Sequence, residues 1–129
     1  MADVNSDDAR ARAERGSVHT LFNDDRTRIV LSGEIDVSVN AELVDAIAEA
    51  EAAGVPTEVD TRHVTFIDSS GVAMLARLAS RTPDTLKVLD PPEVLTFLLE
   101  ITRIGELVQV QHTAPTGRGP DDDPPDAVA

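Results

Sequence analysis

Short apolar runs alternate with amphipathic helical segments along this chain, and the alternation limits the possible folds more than any other feature. Residues 17–22 (SVHTLF) and 28–32 (RIVLS) flank the polar turn 23–25 and predict a hairpin. Three helical segments follow, each separated from the next by an apolar run. The predicted helices begin near Asn40, Ser69 and Glu93, and the predicted strands lie at 58–60 leading into 62–67, at 86–89 and at 107–110.

This order predicts an α/β domain with a mixed sheet of four or five strands and about three main helices, in the order β-β-α-β-α-β-α-(β). Parallel pairs in such a sheet are joined by right-handed crossovers. The second strand is expected to end at Gly33, and Pro92 is expected in the first turn of the third helix, where its missing N–H is no loss. The third helix takes its apolar face from Val94, Leu95, Leu98, Leu99 and Ile101.

The first helix is predicted over residues 40–53, with Ser38 or Asn40 as its cap and Gly54 at its end. Leu43, Ile47 and Ala50, flanked by Val44, form its apolar stripe. Three acids with no intervening base lie on another side of the helix, which is typical of a solvated face and, less often, of a surface for a basic partner. These acids are Glu42, Asp45 and Glu49.

The length of 129 residues corresponds to one domain, which we place at residues 16–112. We expect residues 1–15 to be a flexible segment and 113–129, rich in Pro, Gly and Asp, to be a disordered tail. Neither a secretory apolar region nor a membrane-spanning stretch is present in the sequence. The simplest location for such a chain is the cytoplasm.

The formal net charge is −13, and seven basic against sixteen acidic residues place −9 of it in the predicted domain. A chain this acidic, without Trp or Tyr, is a poor match for nucleic acid, whose binding needs Lys and Arg. The absence of Cys excludes disulfide scaffolds, thiolate metal sites and cysteine nucleophiles. Acidic domains instead favour basic protein partners.

The tetrapeptide Asp68-Ser69-Ser70-Gly71 lies at a predicted junction between strand and helix. A serine there caps the helix, and on residue type alone this is the commoner role. If phosphorylated, the serine would place its anion against unpaired backbone N–H groups at the positive end of the helix. Gly71 keeps the first turn free of side chains, so a bulky partner can approach.

Three catalytic alternatives fit the sequence poorly. A serine hydrolase needs G-x-S-x-G around its nucleophile, but Ile67 precedes Ser69 by two places, and only His19, His63 and His112 could serve as base. No G-x-x-x-x-G-K-[ST] loop supports a kinase or ATPase. The run 121–123 lacks the spacing of a calcium loop, and no other pattern suggests a metal or cofactor. The chain is therefore expected to be no enzyme, and any chemistry on Ser69 must come from a partner.

Two motifs carry a resemblance to a known family. The stretch 64–71 (VTFIDSSG), preceded by Val59-Asp60, and the stretch 31–36 (LSGEID) resemble the signature of STAS domains, the sulfate-transporter and anti-sigma-factor-antagonist family. A weaker match is 86–88 with Pro92 and the helix after it. The resemblance covers about residues 17–111 and implies the fold described above.

The resemblance implies that this chain is an antagonist of an anti-sigma factor. That anti-sigma factor is also a serine kinase, and it supplies the ATP. In the family's motif the phosphorylated serine follows the aspartate, which corresponds to Ser69, with Ser70 as second choice. Asp36, Asp68, Ser69, Ser70 and Gly71 are then the expected partner-binding residues. A phosphatase would restore the unmodified form, and neither DNA nor a membrane would be touched directly. The family also implies an alternative, a non-phosphorylated subunit of a transport or other signalling complex.

Overall fold

The computed structural model describes residues 16–113, which form five strands and three α-helices in the predicted order β-β-α-β-α-β-α-β. Two short 3₁₀ turns, Val37–Val39 and Ile104–Leu107, connect them. The strands are β1 Ser17–Phe22, β2 Thr27–Ile35, β3 Thr57–Ile67, β4 Leu86–Leu89 and β5 Val108–Gln111, and the helices are α1 Asn40–Ala53, α2 Ser69–Arg81 and α3 Glu93–Thr102. The predicted fold class is confirmed.

The five strands form one sheet in the order β1-β2-β3-β4-β5. β1 is antiparallel to β2, and the other neighbours are parallel. Each crossover advances by one strand in the same direction, so right-handed connections place the three helices on one face of the sheet. The carboxyl ends of β2, β3, β4 and β5 consequently share one edge, and the hydrophobic core lies between the sheet and the helices.

The strands differ from the prediction in two places. β2 does not end at Gly33 but continues to Ile35, because Gly33 adopts φ 79° at a register irregularity that only a glycine accommodates readily. The two predicted segments 58–60 and 62–67 are one continuous strand, β3. Both extensions carry the strands to the residues on which the candidate site depends.

The face of the sheet opposite the helices holds two buried carboxylates. Glu58 and Asp60 are only 5% and 4% exposed. Arg28 Nη2 lies 2.7 Å from Glu58 Oε2, and Arg62 Nη2 lies 3.1 Å from Asp60 Oδ2. Since a buried charge without its partner destabilises a protein strongly, these arginines are structural groups of this face.

Helix α1 has the predicted bounds, and Gly54 ends it as predicted. The predicted cap is wrong, because Val39 occupies the cap position without a side-chain hydrogen bond and Ser38 belongs to the preceding 3₁₀ turn. The buried stripe is Leu43, Ala46, Ile47 and Ala50. The acids Glu42, Asp45 and Glu49 are exposed, as expected for a solvated face.

Helix α1 packs beside α2, and the Glu51–Arg81 ion pair at 3.4 Å joins them. Leu95 and Leu99 are the buried residues of α3. Ile101, predicted on its apolar face, is 58% exposed. Pro92 caps α3 from outside the helix instead of standing in its first turn, because its extended backbone (ψ 170°) precedes the first helical residue.

The predicted flexible segment 1–15 and residues 114–129 of the predicted tail lie outside the described residues. Thr113, the first residue of that tail, donates through its amide to Asp90 Oδ1 at 2.8 Å and through its hydroxyl to Asp90 Oδ2 at 2.7 Å. The hydrogen bonds of the domain therefore reach Thr113.

Between residues 16 and 113, no helix combines the length and the hydropathy needed to cross a membrane.

Candidate functional site

Asp36 and Asp68 follow directly after β2 and β3, at the shared carboxyl edge of the sheet. The preceding residues, Ile35 and Ile67, are register partners, and the Asp68 amide donates to the Ile35 carbonyl at 3.3 Å. Adjacent strands lie about 5 Å apart. The fold thus brings together the two acids that the sequence places 32 positions apart.

Asp68 is the residue that caps α2. Its Oδ1 accepts from the amides of Ser70 at 3.0 Å and Gly71 at 3.2 Å, and from the Ser70 hydroxyl at 2.7 Å. The cap expected from a serine is therefore supplied by the aspartate in front of it. A carboxylate at this position also complements the positive end of the helix dipole.

Ser69 is the first residue of α2, and its side chain is exposed. Its hydroxyl makes no hydrogen bond to any of residues 16–113, whereas the hydroxyl of the half-buried Ser70 is bound to Asp68. Of the two candidate phosphoacceptors, Ser69 is thus the one with a free and accessible oxygen. This geometry favours Ser69 over Ser70, the order that the family resemblance implies. The phosphorylation of either serine stays a prediction.

Asp36 begins the 3₁₀ turn Val37–Val39. Its Oδ1 accepts from the Ser38 amide at 2.9 Å and from the Ser38 hydroxyl at 2.6 Å. The Ser38 hydroxyl is the larger cause, and the Ser38 amide the second, of a pKa of Asp36 below its usual value of 3.8. Asp36 is consequently an anion throughout the neutral pH range.

Gly71 has a role inside the fold. It is buried, and a Cβ built on it would lie 2.7 Å from Ile67 Cγ1 and 3.0 Å from the Ile35 carbonyl oxygen. The glycine therefore lets α2 approach the ends of β2 and β3 and so positions Ser69. Its contribution to partner binding stays a prediction, as does that of the other expected contact residues.

The edge that carries Ser69 is acidic. In the described part of the chain, neither Asp36 nor Asp68 forms an ion pair. The amides of Ser70 and Gly71, on which a phosphate was expected to rest, already bind Asp68. A phosphate on Ser69 would therefore meet carboxylates at this edge as well as the helix dipole.

A metal cluster or a histidine bonded to Ser69 would give this edge a chemistry of its own. Among residues 16–113, no group of three or more His, Asp or Glu side chains could hold a metal ion. His19, His63 and His112 are exposed, and none is hydrogen-bonded to Ser69. A hydrolytic serine would need such a base within hydrogen-bond reach.

Two apolar residues at the same edge were not singled out from the sequence. Val37, next to Asp36, is 67% exposed, and Phe66, two residues before Asp68, is 45% exposed. Strict alternation from Val64 would put Phe66 in the core. The register of β3 against β2 shifts by one residue after Val64, so that Ile67 faces the core and Phe66 does not. The sequence carries no local signal of this shift.

Residues 18–109 match the protein family described as "Mlab, STAS domain". None of the curated proteins compared with the chain by sequence matches it.

Several solved structures share the fold. An anti-sigma factor antagonist from Mycobacterium paratuberculosis superposes with a TM-score of 0.67 at 20% identity, covering 83% of this chain and 89% of that one. A putative anti-sigma factor antagonist from Thermotoga maritima gives 0.64 at 13% identity, covering 77% and 89%. The Bacillus cell fate determinant SpoIIAA in its phosphorylated form gives 0.56 at 17% identity, covering 78% and 94%.

Proposed function

The chain belongs to the STAS domain family, and from this premise we propose that it is an anti-sigma factor antagonist. In this role it binds an anti-sigma factor that is also a serine kinase, and it thereby releases a sigma factor. Phosphorylation of Ser69 by that kinase ends the interaction, and a phosphatase reverses the modification. The chain itself performs no catalysis, since the kinase supplies both the ATP and the catalytic groups.

The observation that carries the proposal is the position of Ser69. Its hydroxyl is exposed and unbonded within residues 16–113, at the start of α2, while the neighbouring Ser70 is engaged by Asp68. A kinase needs such an accessible oxygen, held at a rigid element. The resemblance in the motif 64–71 supports the same assignment.

The charges at this edge support a local switch. Phosphorylation adds about −1.5 to −2 charges and three acceptor oxygens. These are added beside Asp68 and at the strand ends that carry Asp36, where no ion pair compensates them among the described residues. A partner surface that fits a neutral hydroxyl would then meet a dianion. A change of about 3 kcal/mol lowers affinity roughly a hundredfold, which is enough to reverse a competition between two partners.

The phosphorylation assay uses the purified chain, ATP and purified anti-sigma factor kinases of the source organism, with intact-mass measurement of the product. We expect one phosphate on wild type and on Ser70→Ala, and none on Ser69→Ala. If Ser69→Ala gains a phosphate and Ser70→Ala does not, the assignment of the site is wrong. If wild type gains none, the proposed switch is wrong.

Two other outcomes identify the alternatives. Recovery of the chain with an ATPase and a permease, with no phosphate on any serine, would support a subunit of a transport complex. Labelling of Ser69 by a fluorophosphonate probe would support a hydrolase, and we expect no labelling.

Fractionation of cells tests the proposed cytoplasmic location, and limited proteolysis tests the proposed boundaries of the domain at 16–112.

The proposed partner is a protein and neither nucleic acid nor a membrane. The net charge of −9 over residues 16–112 would repel phosphate backbones and anionic lipids. It would attract a basic anti-sigma surface instead, and the exposed acids of α1, Glu42, Asp45 and Glu49, belong to the helix that packs beside α2. Substitution of Glu42 and Glu49 by Lys is expected to weaken this binding.

A further inference from the structure

Exposed large apolar side chains occur at four separate places in the described part of the fold. Val44, 42% exposed, belongs to α1. Leu21 and Phe22 end β1, at the edge opposite Ser69. Phe97, Ile101, Leu107 and Val110 belong to α3, β5 and the turn between them. Val37 and Phe66 belong to the edge at which β2 and β3 end. This last pair belongs to the edge of the sheet at which Asp36, Asp68 and Ser69 follow β2 and β3.

Val37 and Phe66 are neighbours of acidic residues in the chain or in the register of the sheet. Val37 follows Asp36 in the 3₁₀ turn, and Phe66 lies opposite Glu34 in the β2–β3 register. Phe66 faces away from the core, since its neighbour Ile67 is 1% exposed. Exposed apolar side chains surrounded by acids resemble the interface arrangement in which a few apolar anchors are enclosed by a charged rim.

Burial of these two residues against a partner would remove apolar surface from water. The acids around them, Glu34, Asp36 and Asp68, are not paired with cations among residues 16–113. An occupant of this edge must therefore supply both an apolar surface and positive charge.

We propose that Val37 and Phe66 are the apolar anchors of the docking surface, and that they enter an apolar site on the anti-sigma factor kinase whose border carries Lys or Arg. This inference rests on the proposed function and adds to it the separate roles of the residues at this edge. The anchors provide affinity, the acids provide orientation, and Ser69 at the same edge provides the switch.

The arrangement also explains how one phosphate can release a partner. The anchors and Ser69 belong to the same edge of the sheet, where β2 and β3 end, so we take the partner that covers the anchors to cover Ser69 as well. The serine is then desolvated in the complex, where a dianion is far more unfavourable than in water. Phosphorylation would thus prevent the anchors from being buried.

The test measures binding of the kinase from the phosphorylation assay to Val37→Ser and Phe66→Ser by calorimetry without ATP. We expect about tenfold weaker binding for each variant. The matched controls are Phe97→Ser, with the same residue type at 58% exposure on α3, and Val110→Ser, at 41% exposure on β5. Both controls should bind as wild type does.

Folding and chemistry are followed separately. All four side chains are exposed, so the melting temperatures should stay within about 3 °C of wild type, and Phe66→Leu should retain most of the affinity if its Ser variant is less stable. In steady-state phosphorylation the two anchor variants should raise KM about tenfold with kcat unchanged, the signature of lost binding. Salt near 0.5 M should weaken wild type and variants by the same factor, because it screens the acids and not the anchors.

The outcomes distinguish this inference from the proposed function. If wild type is bound and phosphorylated and the anchor variants behave as the controls do, the inference is wrong and the proposed function stands. If wild type is neither bound nor phosphorylated, both are wrong. If wild type is a dimer in sedimentation and the anchor variants are monomers that still bind the kinase, the edge joins two copies of this chain and the inference is overturned.

Discussion

Replacing Gly71 with alanine tests whether α2 must approach the strand ends as closely as the structure shows. The added Cβ would lie 2.7 Å from Ile67 Cγ1 and 3.0 Å from the Ile35 carbonyl oxygen. Carbon atoms in contact prefer about 3.5–4.0 Å. Cγ1 of a buried isoleucine and a backbone oxygen cannot move aside easily, so the helix itself has to shift.

Two opposing effects set the expected change in the free energy of unfolding. Alanine is favoured over glycine within a helix by up to about 1 kcal/mol. Forcing an extra methyl group into a packed site costs about 1–3 kcal/mol. We therefore expect Gly71→Ala to be less stable than wild type by about 1 kcal/mol, which lowers the melting temperature of a domain of this size by about 4–8 °C.

Denaturant unfolding followed by circular dichroism measures this change in stability. The rate of phosphorylation of Ser69 measures whether α2 is displaced, because Ser69 is the first residue of that helix. Gly54→Ala is the control. Its added Cβ would meet nothing within 4 Å, but the backbone has φ 67°, which alanine adopts only with strain. The substitution should therefore cost about 1–2 kcal/mol of stability through backbone strain alone, and Ser69 should be phosphorylated at the wild-type rate. Gly71→Ala should slow this phosphorylation. Wild-type stability together with a wild-type rate in Gly71→Ala would refute the requirement for close approach.

Three further substitutions test the groups around the serine. Asp68→Ala removes the cap of α2 and should lower the free energy of unfolding by about 1 kcal/mol in denaturant titration, whereas Asp68→Asn, which keeps an acceptor, should recover most of it. Ser38→Ala should raise the pKa of Asp36 toward 3.8 in an NMR titration, because it removes the Ser38 hydroxyl bond, the largest cause of the lowering. Since that pKa is lowered in the folded state, its stabilisation is present at neutral pH and is lost as the pH falls through the folded value, and Ser38→Ala should weaken this acid dependence. Ser69→Asp should weaken partner binding while changing the free energy of unfolding by less than about 0.5 kcal/mol, since the side chain is exposed and bonded to no described residue; a large loss of stability in calorimetry would instead assign Ser69 a structural role.

The order of the elements could be predicted because the pattern that encodes it is local. The helical period of the apolar residues and Gly54 after α1 are each sufficient to place a boundary within a few residues. The candidate serine was found for the same reason, since a motif is a local pattern. Its surroundings were found less well. The sequence offered serines as caps, and the structure assigns that role to Asp68, whose carboxylate competes successfully for the same amides.

Features that join distant segments could not be derived in this way. The burial of Glu58 depends on Arg28, which is 30 positions away and meets it only when β2 and β3 pair. The close packing around Gly71 depends on Ile35 and Ile67 in the same manner. Each of these contacts requires the register between two parallel strands, and that register is a property of the assembled sheet.

The sequence by itself thus determined the α/β order of the chain, its acidic character and the pair of serines at the start of a helix, because each follows from residues close in the chain. Only the tertiary structure decided which side chains accompany that serine. The one-residue shift in register after Val64 turns Ile67 into the core and Phe66 outward. Successive residues of a strand point to opposite faces, so a single inserted residue exchanges the buried and the exposed side. That exchange places the apolar side chain of Phe66 in solvent near the end of β3.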